Sequence, residues 1–174
     1  MPDIEEVIMK ESYIAAGFRE TVARQFPEQA ADLNAAFDAR LESLRAENAH
    51  ASKEKQLHLQ KQILPGIAAY ETLQTLLPQK EALLTVHGYV EKRAWGLKKK
   101  FLRLMRIPGL YRAVPGIFAR QTPKFFGNAA GFAATEIRTS CGVWRIDMTK
   151  CPYHDACVHY GCPELCPCFC DSDD

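Results

Sequence analysis

The chain has 174 residues, 47% of them hydrophobic and 25% charged, with a formal net charge of +1. That length is enough to bury most of its apolar surface around a single core, and the composition excludes a disordered or nucleic-acid-coating protein. No run approaches the roughly 20 apolar residues of a membrane span, and the start, MPDIEEVIMKESY, lacks the basic and apolar regions of a secretory signal.

A cytoplasmic location is therefore expected, where thiols stay reduced. An odd count of seven cysteines then reads as ligands or reactive groups rather than as a disulfide framework.

In chain order, Ile4, Val7, Ile8, Tyr13, Ile14, Phe18 and Val22 recur at helical spacing and predict a helix over 4–24. Phe26-Pro27 interrupts it. Pro27 opens a second helix carrying Ala31, Leu33, Phe37, Leu41 and Leu44, since proline is tolerated in a first turn. A third pattern holds Leu57, Leu59, Ile63, Ile67 and Leu73, with Pro65 and Gly66 expected to bend it. Pro78 restarts the chain for a fourth helix, from Gln79 to about Ile107.

Charge changes in that helix. From Lys92 to Thr135 there is no Asp or Glu, yet ten cations occur: Lys92, Arg93, Lys98, Lys99, Lys100, Arg103, Arg106, Arg112, Arg120 and Lys124. Trp95, Leu97, Phe101, Leu102, Leu104 and Tyr111 are interleaved with them. The plainest reading is a solvated helix face whose apolar side packs on the core. Attraction of a small anionic substrate comes second, and binding to an acidic membrane or nucleic acid third, because no recognition motif accompanies the charge.

Pro108, Pro115 and Pro123 with Gly109, Gly116 and Gly127 then predict a loop-rich connection over 108–130, suited to a lid. Beyond it the period becomes two. In GVWRIDMTK, Trp144, Ile146 and Met148 alternate with Arg145, Asp147 and Thr149, the pattern of a half-buried strand with its apolar set inward. ATEIRTS is the expected partner strand, with Ser140 to Gly142 as the turn.

The last twenty-four residues, CPYHDACVHYGCPELCPCFCDSDD, hold six cysteines. Pro152 and Gly161 bracket a short helix, which puts Cys151 at its N-cap, where unpaired N–H groups and the helix dipole favour thiolate. His154 falls on about the same face and is placed to supply positive charge or accept a proton. Cys162-Pro163-Glu164-Leu165 repeats this grammar, and Glu164 is placed to orient or deprotonate a water. Asp171, Asp173 and Asp174 beside Cys170 raise its pKa unless a cation sits near.

The spacing C-x5-C-x4-C-x3-C-x-C-x-C contains no C-x2-C pair and matches neither a zinc ribbon nor a ferredoxin. No cofactor is expected; the alternative is zinc held by Cys157, Cys162, Cys166 and Cys168, in a non-catalytic thiolate metal-binding or redox-sensing module.

Cys151-Pro152-Tyr153, Gly161-Cys162-Pro163-Glu164-Leu165 and Cys170-Asp171-Ser172-Asp173, in that order after a strand, resemble the L-2-amino-thiazoline-4-carboxylic acid hydrolase family. The ILPGIAAY segment and the Pro/Gly-rich connection are similar in plan. Cys157, Cys162, Cys166 and Cys168 depart from the shared pattern, which also continues past C-x-x-D into a further strand.

The resemblance implies hydrolysis of a small anionic ring containing an amidine-like C=N carbon. It implies Cys151 or Cys170 as nucleophile and Glu164 and Asp173 as acid/base or water-orienting groups. Tyr153, His154, Arg138 and Arg145 are the implied substrate-binding residues. The expected partner is a small anionic substrate rather than nucleic acid or a membrane.

The expected fold is a single α+β domain: a helical part over 1–107, the connection over 108–130, and a small antiparallel sheet with the Cys/acidic motif over 131–174.

Overall fold

The computed structural model describes residues 11–140 and 143–170. The fold is α+β, mostly helical with a two-stranded antiparallel sheet and a Cys-rich end, as the sequence leads one to expect.

Helix α1 spans Tyr13–Gln25 and is N-capped by the Ser12 hydroxyl, which accepts from the Ile14 N–H at 3.1 Å. Ile14, Phe18 and Val22 lie one turn apart and are fully buried. The part of the predicted first helix before residue 11 lies outside the described residues. A single 3-10 turn at Pro27–Gln29 leads into α2, Ala30–Glu47, which buries Leu33, Phe37, Leu41 and Leu44. Phe37 stacks on Phe18 with ring centroids 4.5 Å apart and locks α2 to α1.

The third helical pattern does not break at Pro65. Helix α3, Lys53–His58, runs through a π turn at Leu59–Ile63 into α4, Leu64–Leu73, with Pro65 in the first turn of α4. A proline there lacks the N–H that the carbonyl four residues earlier would accept. That carbonyl belongs to Lys61, and it takes the Ser12 hydroxyl at 2.7 Å. The irregularity around Pro65 takes the form of a π turn, a common device where a helix carries a local mismatch. Gly66 is there for space rather than for bending. A Cβ on it would sit 2.5 Å from Cζ of Phe169, so only glycine lets the last helix close on α4. Because α4 buries nearly every residue, it is the central helix of the body.

Helix α5, Gln79–Leu104, starts at Pro78 and packs Ala82, Val86, Tyr89 and Val90 into the core. No residue of α5 beyond Val90 is buried. The 108–130 stretch is a correction to the loop-rich reading: it contains α6, Leu110–Phe125, entered through Gly109 at φ +80°, and a 3-10 turn at Asn128–Ala130. Prolines 115 and 123 are carried inside that helix rather than ending it.

Strands β1, Ala133–Ser140, and β2, Val143–Lys150, pair antiparallel with Thr135 opposite Asp147 and Ile137 opposite Arg145. Their main contacts are with each other. Met148 is accordingly exposed rather than inward, and Asp147 is the half-buried neighbour.

The chain then returns to the helical body through α7, Pro152–His159, a 3-10 turn at Pro163–Leu165, and α8, Cys166–Cys170. Gly161, at φ +73°, ends α7 in the left-handed conformation that glycine adopts without strain.

Candidate functional site

The C-terminal motif folds back across α4 and α5 and brings three sets of polar groups together.

The first is a carboxylate clasp. Glu164, in the turn after Cys162-Pro163, accepts from the Tyr70 hydroxyl of α4 at 2.5 Å and from the Gln79 amide of α5 at 2.7 Å, both at Oε1. Donation from Tyr70 holds the Glu164 carboxyl below the usual range, so it is a carboxylate at neutral pH. Burial and the same hydrogen bond push the Tyr70 phenol up to about 12. Glu164 is only half-buried.

The second is a thiol pair. Cys157, fully buried on α7, and Cys162, buried at the following turn, are joined by a backbone bond from the Cys162 N–H to the Cys157 carbonyl at 2.8 Å. Their thiols lie near enough for each to set the acidity of the other. Donation by Cys157 lowers the Cys162 thiol below its ordinary value, while the Cys157 thiol is raised, first by that donation and then by burial. Cys162 therefore loses the first proton of the pair. Glu71 and Glu164 oppose this and the Arg40 guanidinium assists it. Cys151 and Cys166 are near enough to act on Cys157 as well.

Arg40 is fixed at this edge. It grips Glu71 in a two-pronged pair, Nε to Oε2 at 2.6 Å and Nη2 to Oε1 at 3.1 Å, and lies 5.7 Å over the Tyr160 ring. The Tyr160 hydroxyl accepts from Asn48 at 2.7 Å and donates to Glu47 at 3.1 Å.

The third set is a buried relay. His58 Nε2 meets the Phe125 carbonyl at 2.7 Å, and Nδ1 meets the Tyr153 hydroxyl at 3.0 Å. The Tyr153 hydroxyl is also bonded to the Gln62 side-chain amide. Burial, opposed by the carbonyl, lowers the His58 pKa, so the ring is neutral. A neutral ring that donates from Nε2 accepts at Nδ1, so the single Tyr153 hydroxyl hydrogen is shared between His58 Nδ1 and the Gln62 side-chain oxygen. Phe132 packs edge-on to the imidazole at 5.2 Å.

The residues singled out from the sequence divide accordingly. Cys151 is the N-cap of α7, half-buried with no side-chain cap bond. Glu164 is at the clasp. Tyr153 is buried in the relay. His154 is exposed and faces Asp155 of its own helix at 3.9 Å. Cys170 is exposed and Cys168 is buried, its thiol 3.9 Å from the Leu83 carbonyl. Arg138 and Arg145 lie on β1 and β2, but their side chains, like all of Asp173, lie outside the described residues. For the zinc alternative, no group of three or more His, Cys, Asp or Glu side chains is disposed to hold a metal ion among the described residues.

Sequence reasoning missed Arg40, His58, Gln62, Glu71 and Gln79. Tyr70 was within reach, as the last residue of ILPGIAAY, because a tyrosine amid a buried apolar run needs a partner for its hydroxyl.

A separate groove of about 580 Å³ lies between α1 and α5, lined by Gly17, Thr21, Arg24, Gly88, Tyr89, Lys92 and neighbours. No residue of the C-terminal motif lines it. The Tyr89 hydroxyl there is buried with no hydrogen-bond partner among the described residues.

No helix among the described residues is long and apolar enough to cross a membrane. Neither a curated protein nor a solved structure matches the chain. A family model does, over residues 56–174, a span that starts in α3 and takes in the relay, the clasp and all the motif cysteines but leaves α1, α2 and Arg40 outside. That model describes the L-2-amino-thiazoline-4-carboxylic acid hydrolases, and the chain belongs to their family.

Proposed function

We propose that the protein hydrolyses a small anionic heterocycle with an amidine-like C=N carbon, of the aminothiazoline carboxylate type, at the clasp and thiol pair. The observation that carries this reading is the juxtaposition of an ionised Glu164, held by Tyr70 and Gln79, with a Cys162 thiol primed by Cys157.

Cys162 is the thiol whose surroundings favour the anion. Its sulfur attacks the ring carbon between nitrogen and sulfur, and the C–S bond of the ring breaks with a proton going to the departing sulfur. The resulting isothiourea on Cys162 is then hydrolysed. Water, oriented by the Glu164 carboxylate, adds to the same carbon, the enzyme's C–S bond breaks, and a urea leaves with the Cys162 thiol restored. Cys157 is the adjacent proton source, and Tyr70 keeps Glu164 ionised and aimed.

Turnover of cyclic amidine and thiazoline carboxylates tests this, with Cys162→Ala, Cys151→Ala and Glu164→Gln compared. Wild-type turnover lost in Cys162→Ala and Glu164→Gln, with Cys151→Ala largely active, is the expected pattern. Full activity in Cys162→Ala removes the assignment.

A second reading is favoured by the contact between Cys157 and Cys162: a dithiol that oxidises to a disulfide and reports redox state. It predicts a loss of two hydrogens on mild oxidation, confined to the peptide holding both residues, with no turnover of any ring substrate.

A further inference from the structure

The buried stripe of α5 ends at Val90, and the remaining fourteen residues of the helix, 91–104, run on without a buried side chain. At 1.5 Å per residue this is about 20 Å of helix. Its apolar residues were expected to pack on the core, but they face solvent: Trp95 is 55% exposed, Phe101 42% and Leu102 56%.

These positions are not scattered. Leu97, Phe101 and Leu104 follow the i, i+4, i+7 rule, and Trp95 and Leu102 sit seven apart beside them, so they form one arc. Lys92, Lys99 and Arg103 lie on the opposite arc, also exposed, with Lys92 paired to Glu20 at 3.1 Å. Lys98 alone falls within the apolar arc, its ammonium 5.7 Å from the Trp95 ring. No acidic residue occurs between Lys92 and Thr135.

We propose that this end of α5 docks on an anionic lipid surface, lying in the interface with Trp95, Leu97, Phe101 and Leu102 inserted among the acyl chains. A helix with one apolar arc, a cationic opposite arc and an interfacial tryptophan has the pattern of a segment that lies on a bilayer rather than crossing it. The charge selects the occupant. A second copy of this chain would cover the apolar arc but give the cationic arc no counter-charge, and a nucleic acid would leave the apolar arc in water, whereas an anionic bilayer satisfies both arcs. The clasp residue Gln79 is at the other end of α5.

The test is co-sedimentation of the full chain with vesicles of phosphatidylcholine, alone or mixed with phosphatidylserine, together with the Trp95 emission read in a Trp144→Phe background. Binding to the mixed vesicles only, weakened by salt and accompanied by a blue shift, is expected. Lys99→Gln with Arg103→Gln should lower binding by roughly 30-fold, about fivefold for each charge. Leu97→Ser with Phe101→Ser should abolish the blue shift. All four side chains are exposed, so unchanged thermal melting certifies the fold of each variant. The proposal is overturned by equal binding to neutral vesicles, by binding indifferent to both double variants, or by the absence of binding. It is equally overturned by a solution dimer that Phe101→Ser dissolves, or by duplex DNA outcompeting the vesicles.

Discussion

The Tyr70 hydroxyl donates to Glu164 Oε1 at 2.5 Å across 94 positions of the chain, tying the central helix to the C-terminal motif. The bond has a sign in pH. Because the folded-state pKa of Glu164 is depressed, its contribution to stability is present above the ordinary carboxylate range and is lost as pH falls through the folded value. Tyr70→Phe removes the donor. We expect a loss of about 1 kcal/mol at neutral pH, the lower part of the range for a charged acceptor because Glu164 is half-exposed. The acid limb of the melting curve should flatten as well. Denaturant melts of both proteins at neutral and acid pH measure this, and identical acid limbs would contradict it.

The same phenol supplies an alkaline signature. A tyrosine whose folded value is pushed up to about 12 stays protonated where free phenols ionise, so its stabilising effect is complete below the ordinary value of about 10 and fades as pH rises through the folded one. Ultraviolet titration of the native protein should show a late-titrating tyrosine. Burial raises Tyr89 and Tyr160 as well, so Tyr70→Phe should shrink the late step by one phenol and leave the absorbance change near the ordinary value intact.

His58 acts at the other end of the scale. Its pKa is lowered by burial, so the neutral ring is the folded form, and the unfolded chain takes up a proton first as pH drops below about 6.5. Stability from the relay is therefore whole above that value and falls as pH descends toward the folded pKa. His58→Phe forfeits the bonds to Phe125 and Tyr153. It should cost about 2 kcal/mol at neutral pH from two lost bonds and stranded partners, yet make the protein less acid-sensitive between pH 7 and 5. Acid sensitivity undiminished in the variant would remove His58 as its source.

How much of this was written in the sequence follows from the range of the forces involved. Helices α1, α2 and α5 were legible because their apolar positions repeat every three to four residues over three or more turns. The Cys151 cap, Pro152 and Gly161 fixed α7 by local stereochemistry alone. Helix α6 was hidden by prolines 115 and 123 and by Gly116, which argue locally for loop and were outweighed here. Of the candidate site, Glu164 and the thiols were visible as residue types. Their partners Gln79 and Arg40 were not, since each meets the motif over a separation that no spacing rule reaches, and of Tyr70 only the need for some hydroxyl partner was legible. The Gly66 of ILPGIAAY was seen as a bend because its actual neighbour, Phe169, lies about a hundred residues away.

That neighbour makes Gly66→Ala informative. The new methyl carbon would lie 2.5 Å from Phe169 Cζ and 2.7 Å from Cε1, well inside contact distance, with the ring itself buried. Phe169 must swing away and carry α8 with it, an overpacking cost of about 1–3 kcal/mol that exceeds the helix propensity gained by alanine. Cys168, packed beside it, should become reactive to alkylating reagents. A stable Gly66→Ala protein with Cys168 still protected would show that the contact is easily relieved.

The thiol pair allows the sharpest separation of cause. Cys162 is shifted toward thiolate first of all by donation from Cys157, against the desolvation that its burial imposes. Replacing Cys157 with alanine removes the donor and leaves the burial, so the Cys162 pKa should move from below to above its ordinary value. The readout is the pH dependence of alkylation at Cys162, resolved from the exposed Cys170 by peptide mass spectrometry. Its midpoint should rise in Cys157→Ala, whereas Cys168→Ala, whose sulfur faces Leu83 on the other side, should leave it in place. A midpoint that moves equally in both variants would mean that general packing, rather than the bond between the two sulfurs, sets the acidity. If the Cys162 thiolate is also the nucleophile, the pH profile of turnover must shift to higher pH in step with the alkylation midpoint.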